Sequence, residues 1–207
     1  MRLWHPDSRL GTLFAQPRTG QKANSFLPYF CPATETPYIE TMMQNRFSNT
    51  MQMPPVTQNL ILINALCWLA SLVLPRFGID LIELGGLHFP GTHTFHWFQP
   101  LTYMFLHDTR SIGHLFFNMF AVFMFGRVLE MTWGPRRFLF YYLATGVGAA
   151  LVQELTWLYT VSSYAAGNGL SIMQQVALDP GVSMLVTIGA SGAVFGVLLA
   201  FGMLFPN

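Results

Sequence analysis

The chain has 207 residues, of which 52% are hydrophobic and only 9% charged, and its net charge is +1. A soluble domain carries about 25% charged residues, and with 19 Phe, 12 Met and 5 Trp the polar side chains cannot cover a water-exposed globule. The composition implies a polytopic membrane protein and, with no large Lys/Arg cluster, excludes a nucleic-acid-binding surface.

Residues 1–55 are polar and rich in Pro, Gln, Asn and Thr. Arg2, Arg9, Arg18, Lys22 and Arg46 outnumber Asp7, Glu35 and Glu40 there. The tract lacks the compact apolar core and cleavage-like site of a signal peptide. It reads as an N-terminal cytoplasmic region with no motif of its own. Cys31 lies in it and Cys67 lies in the first apolar run, so the two cysteines make no disulfide framework.

The first span is expected over 56–75, where only Asn64 and Ser71 interrupt the apolar run from Leu60 to Leu74. Asn64 fits a packing or hydrogen-bonding role. Residues 76–110 form a long link broken by Gly78, Gly85, Gly86, Pro90 and Gly91. Its Phe95, Trp97, Phe98, Tyr103 and Phe105 suit the membrane interface. His88, His93 and His96 have irregular spacing and no supporting cysteine, and no CxxC, HExxH or GxxxxGK[ST] pattern occurs. No metal or cofactor is expected.

The second span is expected over 111–130. His114 and Asn118 are four apart and share a helical face near its start. Polar side chains at that depth are costly against lipid and should point into the bundle. They serve equally well as glue between helices or as hydrogen-bond donors for a developing oxyanion. The third span is expected over 136–155, after Arg136 and Arg137. Residues 156–181 form a second link with turn signals at Gly167-Asn168-Gly169 and Asp179-Pro180-Gly181, enclosing a short surface helix over 170–178.

The fourth span is expected over 185–205, with a first part that enters as a non-helical strand up to Gly189. It carries Gly189-Ala190-Ser191-Gly192. Gly192, Gly196 and Ala200 recur every four residues, and together with Gly189 they suggest a small-residue face for close helix packing. None of the other spans presents an obvious partner for that face. Ser191 then faces a neighbour instead of lipid, as a cap, an interhelical hydrogen-bonding group or a nucleophile.

Four spans place both termini on one side, together with the 127–137 link. That side holds eight of the ten Lys/Arg, so the N-terminus is expected in the cytoplasm. His114, Asn118 and Ser191 then all lie near the outer ends of their spans.

These residues resemble the rhomboid family of intramembrane serine proteases, in its bacterial layout, over about residues 56–207. The family's Gly-x-Ser-Gly reads Gly189-Ala190-Ser191-Gly192 here, and its His-x-x-x-Asn reads His114-Leu115-Phe116-Phe117-Asn118. Leu101 to His107 resembles the segment leading into the family's second span, and Glu130 fits the inner end of that span. Where the family's loop carries Trp-Arg, this sequence has Trp97-Phe98-Gln99.

The resemblance implies an all-α polytopic bundle of the rhomboid type, incomplete at four of six core spans and cut short after the fourth. It implies an intramembrane serine endopeptidase in the plasma membrane, active on single-span membrane proteins within the lipid bilayer. Ser191 would be the nucleophile, with His114 and Asn118 stabilising the oxyanion and His107 shaping the mouth of the site. The family's base histidine comes from a sixth span, and none of the six histidines here follows Ser191. The chain alone is therefore expected to be inactive, with the missing C-terminal spans supplied by the same polypeptide. The alternative expectation is an inactive relative that binds transmembrane helices of clients.

Overall fold

The computed structural model describes residues 53–206, and the N-terminal region expected over 1–55 lies almost entirely outside the described residues. Helix α1 spans Pro55–Val73 and runs into a 3₁₀ turn at Leu74–Phe77. It buries Thr57, Leu60, Asn64 and Ser71, spaced by three, four and seven, and exposes Leu62, Leu66 and Leu69. This reverses the pattern of a soluble helix. Where lipid is the solvent, leucines gain nothing by turning inward and polar groups lose by turning outward. Asn64 and Ser71 each donate to the carbonyl four residues back, to Leu60 at 2.7 Å and Cys67 at 2.9 Å.

Pro54 and Pro55 open α1, and neither has an N–H. Of the donors usually orphaned at a helix start, Val56 and Thr57 remain. Both are taken by the carboxylate of Glu130, 2% exposed, at 2.9 and 2.7 Å, and Thr57 Oγ1 adds a third bond at 2.8 Å.

The first link folds into short pieces. Helix α2 is Leu81–Gly85, capped by Asp80 Oδ1 at 2.8 Å from Ile82 N. Strand β1 is Leu87–His88, helix α3 is Gln99–Thr102, and a 3₁₀ turn follows at Tyr103–Phe105. The second long helix runs from Ile112 to Trp133 as α4 (Ile112–Ala121), a π turn (Val122–Gly126) and α5 (Arg127–Trp133). Gly126 closes the π turn against Phe138, whose ring would lie 3.0 Å from an added Cβ.

Helix α6 spans Pro135–Gly167, 33 residues, and outruns the span expected to end at 155. No Gly or Pro occurs from Ala149 to Ala166, and Thr156, Thr160 and Ser163 turn their hydroxyls back to carbonyls four residues earlier. The helix therefore continues after its apolar character fades. Helix α7, Ile172–Leu178, starts with a Ser171–Gln174 capping box. Helix α8 is Pro180–Ser183, strand β2 is Val186–Thr187, and helix α9 is Ser191–Leu204.

Among the described residues, three helices are long and apolar enough to cross a membrane: Pro55–Phe77, Ile112–Trp133 and Pro135–Gly167. The fourth apolar helix, α9, has 14 residues and begins six residues later than the expected span at 185. Strand β2 and Gly189 occupy the stretch before it.

The small face of α9 does have a partner, contrary to expectation: it lies on α6. A Cβ on Gly192 would come 2.5 Å from Ala149 Cβ, and one on Gly196 would come 2.6 Å from Thr145 Cβ. Ala200 continues the face at 6% exposure. Tyr141 Oη donates to Gly196 O at 2.8 Å, a bond available only because the backbones approach so closely. The core of the bundle is built on Phe138, Tyr142 and Ala150 of α6, Ala193 and Val197 of α9, and Met104, Val122 and Leu129.

Candidate active site

Ser191 is the first residue of α9, and the backbone before it is held in an unusual shape. Gly189 has φ 121°, a region that L side chains rarely adopt. At the position where a Cβ would stand, His114 Nε2 lies 2.7 Å away, His114 Cε1 2.8 Å and Ser191 Oγ 3.9 Å. The expected reading of Gly189 as part of a helix-packing face is thus corrected. It lies outside α9, and its missing side chain makes room for the imidazole of His114. Glycine at this position brings the hydroxyl and the ring to one point.

The tautomer of His114 follows from its partners. Asp108 N–H donates to His114 Nδ1 at 3.4 Å. A backbone N–H can only donate, so Nδ1 is the acceptor and the ring proton sits on Nε2. The nitrogen beside Gly189 is therefore a donor. One turn further along α4, Asn118 is 6% exposed and its Nδ2 donates to His114 O at 2.9 Å. An amide nitrogen has two hydrogens, so a second remains. The hydroxyl of Ser191 forms no hydrogen bond among the described residues.

The loop that carries Ser191 is tied down from the segment 103–108. Gly189 N donates to Tyr103 O at 3.0 Å, and Tyr103 Oη donates to Gly146 O on α6 at 2.7 Å. Burial pushes the Tyr103 phenol up to about 12, so it remains a donor throughout the working pH range. His107 is fully buried, which corrects its expected place at the mouth of the site. Its Nε2 accepts from Ala190 N at 3.5 Å, and its ring meets that of His114 edge-on with centroids 5.1 Å apart. Ala190 N–H is thereby occupied, which leaves the backbone N–H of Ser191 as the amide next to the hydroxyl.

Burial, and then the neighbouring His114 charge, pull His107 down to about 4 from 6.5. His107 is neutral in the fold, while the unfolded chain takes up a proton below about 6.5. Stability is therefore full above that pH and falls as the pH drops toward 4, by up to about 1.4 kcal/mol per pH unit from this group. Thermal unfolding followed between pH 7 and pH 4.5 should show the decline, and His107→Gln should flatten it. Equal slopes in both proteins would remove His107 as its source.

Two residues named in the sequence hold the fold in ways it did not reveal. Gln99 stands where the resembling family has arginine, and it is fully buried. Its Nε2 donates to Thr94 O at 2.7 Å and Leu84 O at 3.2 Å, and its Oε1 accepts from His88 N at 3.3 Å. It pins the first link around β1. Strand β1 then pairs antiparallel with β2, Leu87 opposite Thr187, and so anchors the chain leading to Ser191. Glu130 is the other, through its hold on α1. His88, His93 and His96 do not converge, and among the described residues no group of three His, Cys, Asp or Glu could hold a metal.

A family model for the rhomboid domain matches residues 94–207, more than half of the chain. The chain is 28% identical over 149 residues to the rhomboid protease AarA of Providencia stuartii, covering 70% of this chain and 49% of that protein. It is 33% identical over 115 residues to the rhomboid protease GluP of Bacillus subtilis, covering 54% of this chain and 22% of that protein. It is 30% identical over 97 residues to the mitochondrial RHOMBOID-like protein 12 of Arabidopsis thaliana, covering 47% of this chain and 27% of that protein. The chain thus spans half or less of the length of these curated relatives.

Proposed function

The chain belongs to the rhomboid family, and from that premise we propose that this integral membrane protein is an intramembrane serine endopeptidase acting on single-span membrane proteins. Ser191 Oγ attacks the scissile carbonyl and gives up its proton to a base. The oxyanion receives hydrogen bonds from His114 Nε2–H, the free hydrogen of Asn118 Nδ2 and the Ser191 backbone N–H. Its collapse expels the amine, which takes the proton from the base, and water then hydrolyses the acyl-enzyme. The observation that carries this reading is the convergence of Ser191 Oγ and a protonated His114 Nε2 beside Gly189.

The same geometry argues against His114 as the base, because the ring nitrogen beside Gly189 carries the hydrogen. His107 Nε2 is engaged with Ala190 N–H. We place the base on a histidine outside the described residues. The substrate must expose a carbonyl that an intact helix hides, so it enters unwound. β2 pairs with β1 on one side, which leaves an edge beside Ser191 for an extended segment. The distribution of basic residues supports a cytoplasmic N-terminus and a site toward the outer face of the bacterial plasma membrane.

Activity-based labelling tests the nucleophile. In membranes of cells that express the protein from its own locus, a fluorophosphonate should label a peptide containing Ser191, and Ser191→Ala should abolish labelling. His114→Ala should slow labelling by about 10²–10³-fold, the usual loss for one oxyanion donor. A folded protein that resists the probe, or labelling that persists in Ser191→Ala, would overturn the proposal and favour a relative that binds helices without cutting them.

A further inference from the structure

At the end of the bundle opposite Ser191, Trp133, Arg136, Arg137, Phe140 and Tyr141 line an open cavity of about 450 Å³. Helical spacing puts Arg136 one turn before Phe140 and Arg137 one turn before Tyr141, so two guanidinium groups stand in line with two aromatic rings. The Trp133 and Tyr141 rings meet edge-on, 5.2 Å between centroids, and form one wall. Tyr141 Oη is committed to Gly196 O, so this residue offers the cavity its ring. Phe140 on the outer side is 74% exposed.

Among the described residues the charge here is uncompensated. Neither Arg136 nor Arg137 is held by a hydrogen bond or ion pair in the described structure. The nearest acidic residue along the chain, Glu130, has both carboxylate oxygens engaged with the start of α1. α6 begins here with no side-chain cap, which adds to the positive character without carrying the argument. Arginine matches a phosphate through two parallel N–H bonds, and an aromatic wall beside it accepts glycerol and upper acyl carbons.

We propose that this cavity binds the headgroup phosphate of an anionic phospholipid, with the acyl chains descending along Phe140. A basic pocket at the membrane-facing end of apolar helices meets that partner before any other. The site does not depend on the protease reading, because it lies at the other end of the bundle from Ser191 and uses none of its residues.

The test uses the full chain in phosphatidylcholine vesicles, with brominated-chain phosphatidylglycerol added as a quencher of Trp133 fluorescence. Trp133→Phe isolates the signal. Each interfacial arginine contributes about 1 kcal/mol toward anionic lipid, so Arg136→Gln with Arg137→Gln should reduce the preference for phosphatidylglycerol by roughly 30-fold. Each single variant should reduce it by about fivefold, which keeps the test readable if the double variant does not fold. Quenching equal to that by brominated phosphatidylcholine, or a preference unchanged in the arginine variants, would overturn the proposal. So would displacement of the brominated lipid by millimolar inorganic phosphate, because the site would then recognise a free ion.

Discussion

Glu130→Ala is expected to lower the unfolding free energy by about 2–5 kcal/mol. The Pro54-Pro55 start removes two of the four donors that a helix leaves unpaired, and the Glu130 carboxylate takes the other two. It also accepts the Thr57 hydroxyl. Alanine strands two N–H groups and a hydroxyl, and of these the Thr57 groups are buried. It also removes a negative charge from the positive end of the α1 dipole. Glu130→Gln keeps one oxygen but turns an NH₂ toward a donor, so about half of the loss is expected. The check is thermal or chemical unfolding in a mild detergent, with Thr57→Val in a double-mutant cycle. A loss below about 0.5 kcal/mol for Glu130→Ala would mean that the carboxylate does not hold the first helix.

Gly189→Ala is expected to lower the rate of fluorophosphonate labelling at Ser191 by about 10²–10³-fold while the protein still folds. Two effects coincide. At φ 121° an alanine is strained, at a cost of about 1–3 kcal/mol. Its methyl would also sit 2.7 Å from His114 Nε2, well inside contact distance, so the imidazole must swing away from the serine. The rate effect therefore matches the loss of an oxyanion donor. Gly148→Ala is the control, since a Cβ there meets nothing within 4 Å. Labelling of Gly189→Ala within a factor of about three of the parent protein would show that His114 does not act at this position.

The long spans were legible because bilayer thickness imposes a length and a composition on any segment that crosses it. That His114 and Asn118 share a face was legible because four residues separate them in a helix. Ser191 stood out because glycines surround it. The structure adds the reason for Gly189, which is the imidazole and not a neighbouring helix.

Long-range partnerships were not legible. Glu130 and Thr57 are 73 residues apart, and nothing local marks a glutamate as the cap of another helix. Gln99 looks like an ordinary polar loop residue, yet it satisfies three backbone groups in the first link. His107 was expected at the mouth of the site from the family resemblance, but its ring is enclosed behind the loop that precedes Ser191. The end of α6 was placed too early because falling hydropathy marks the edge of a membrane, whereas a helix ends only where its backbone is broken. That break comes at Gly167 and at Gly169, with φ 68°.

The central claim is that Ser191 cuts a polypeptide within the membrane, and product analysis tests it most directly. The protein should be isolated from membranes of cells expressing it from the native locus and reconstituted with a single-span protein carrying a fluorophore on each side of its membrane segment. A cut near the outer end of that segment is expected, with intact ends identified by mass spectrometry, and no product from Ser191→Ala of equal thermal stability. Cleavage unchanged in Ser191→Ala, or a folded parent protein that binds the substrate and leaves it whole, would contradict the claim.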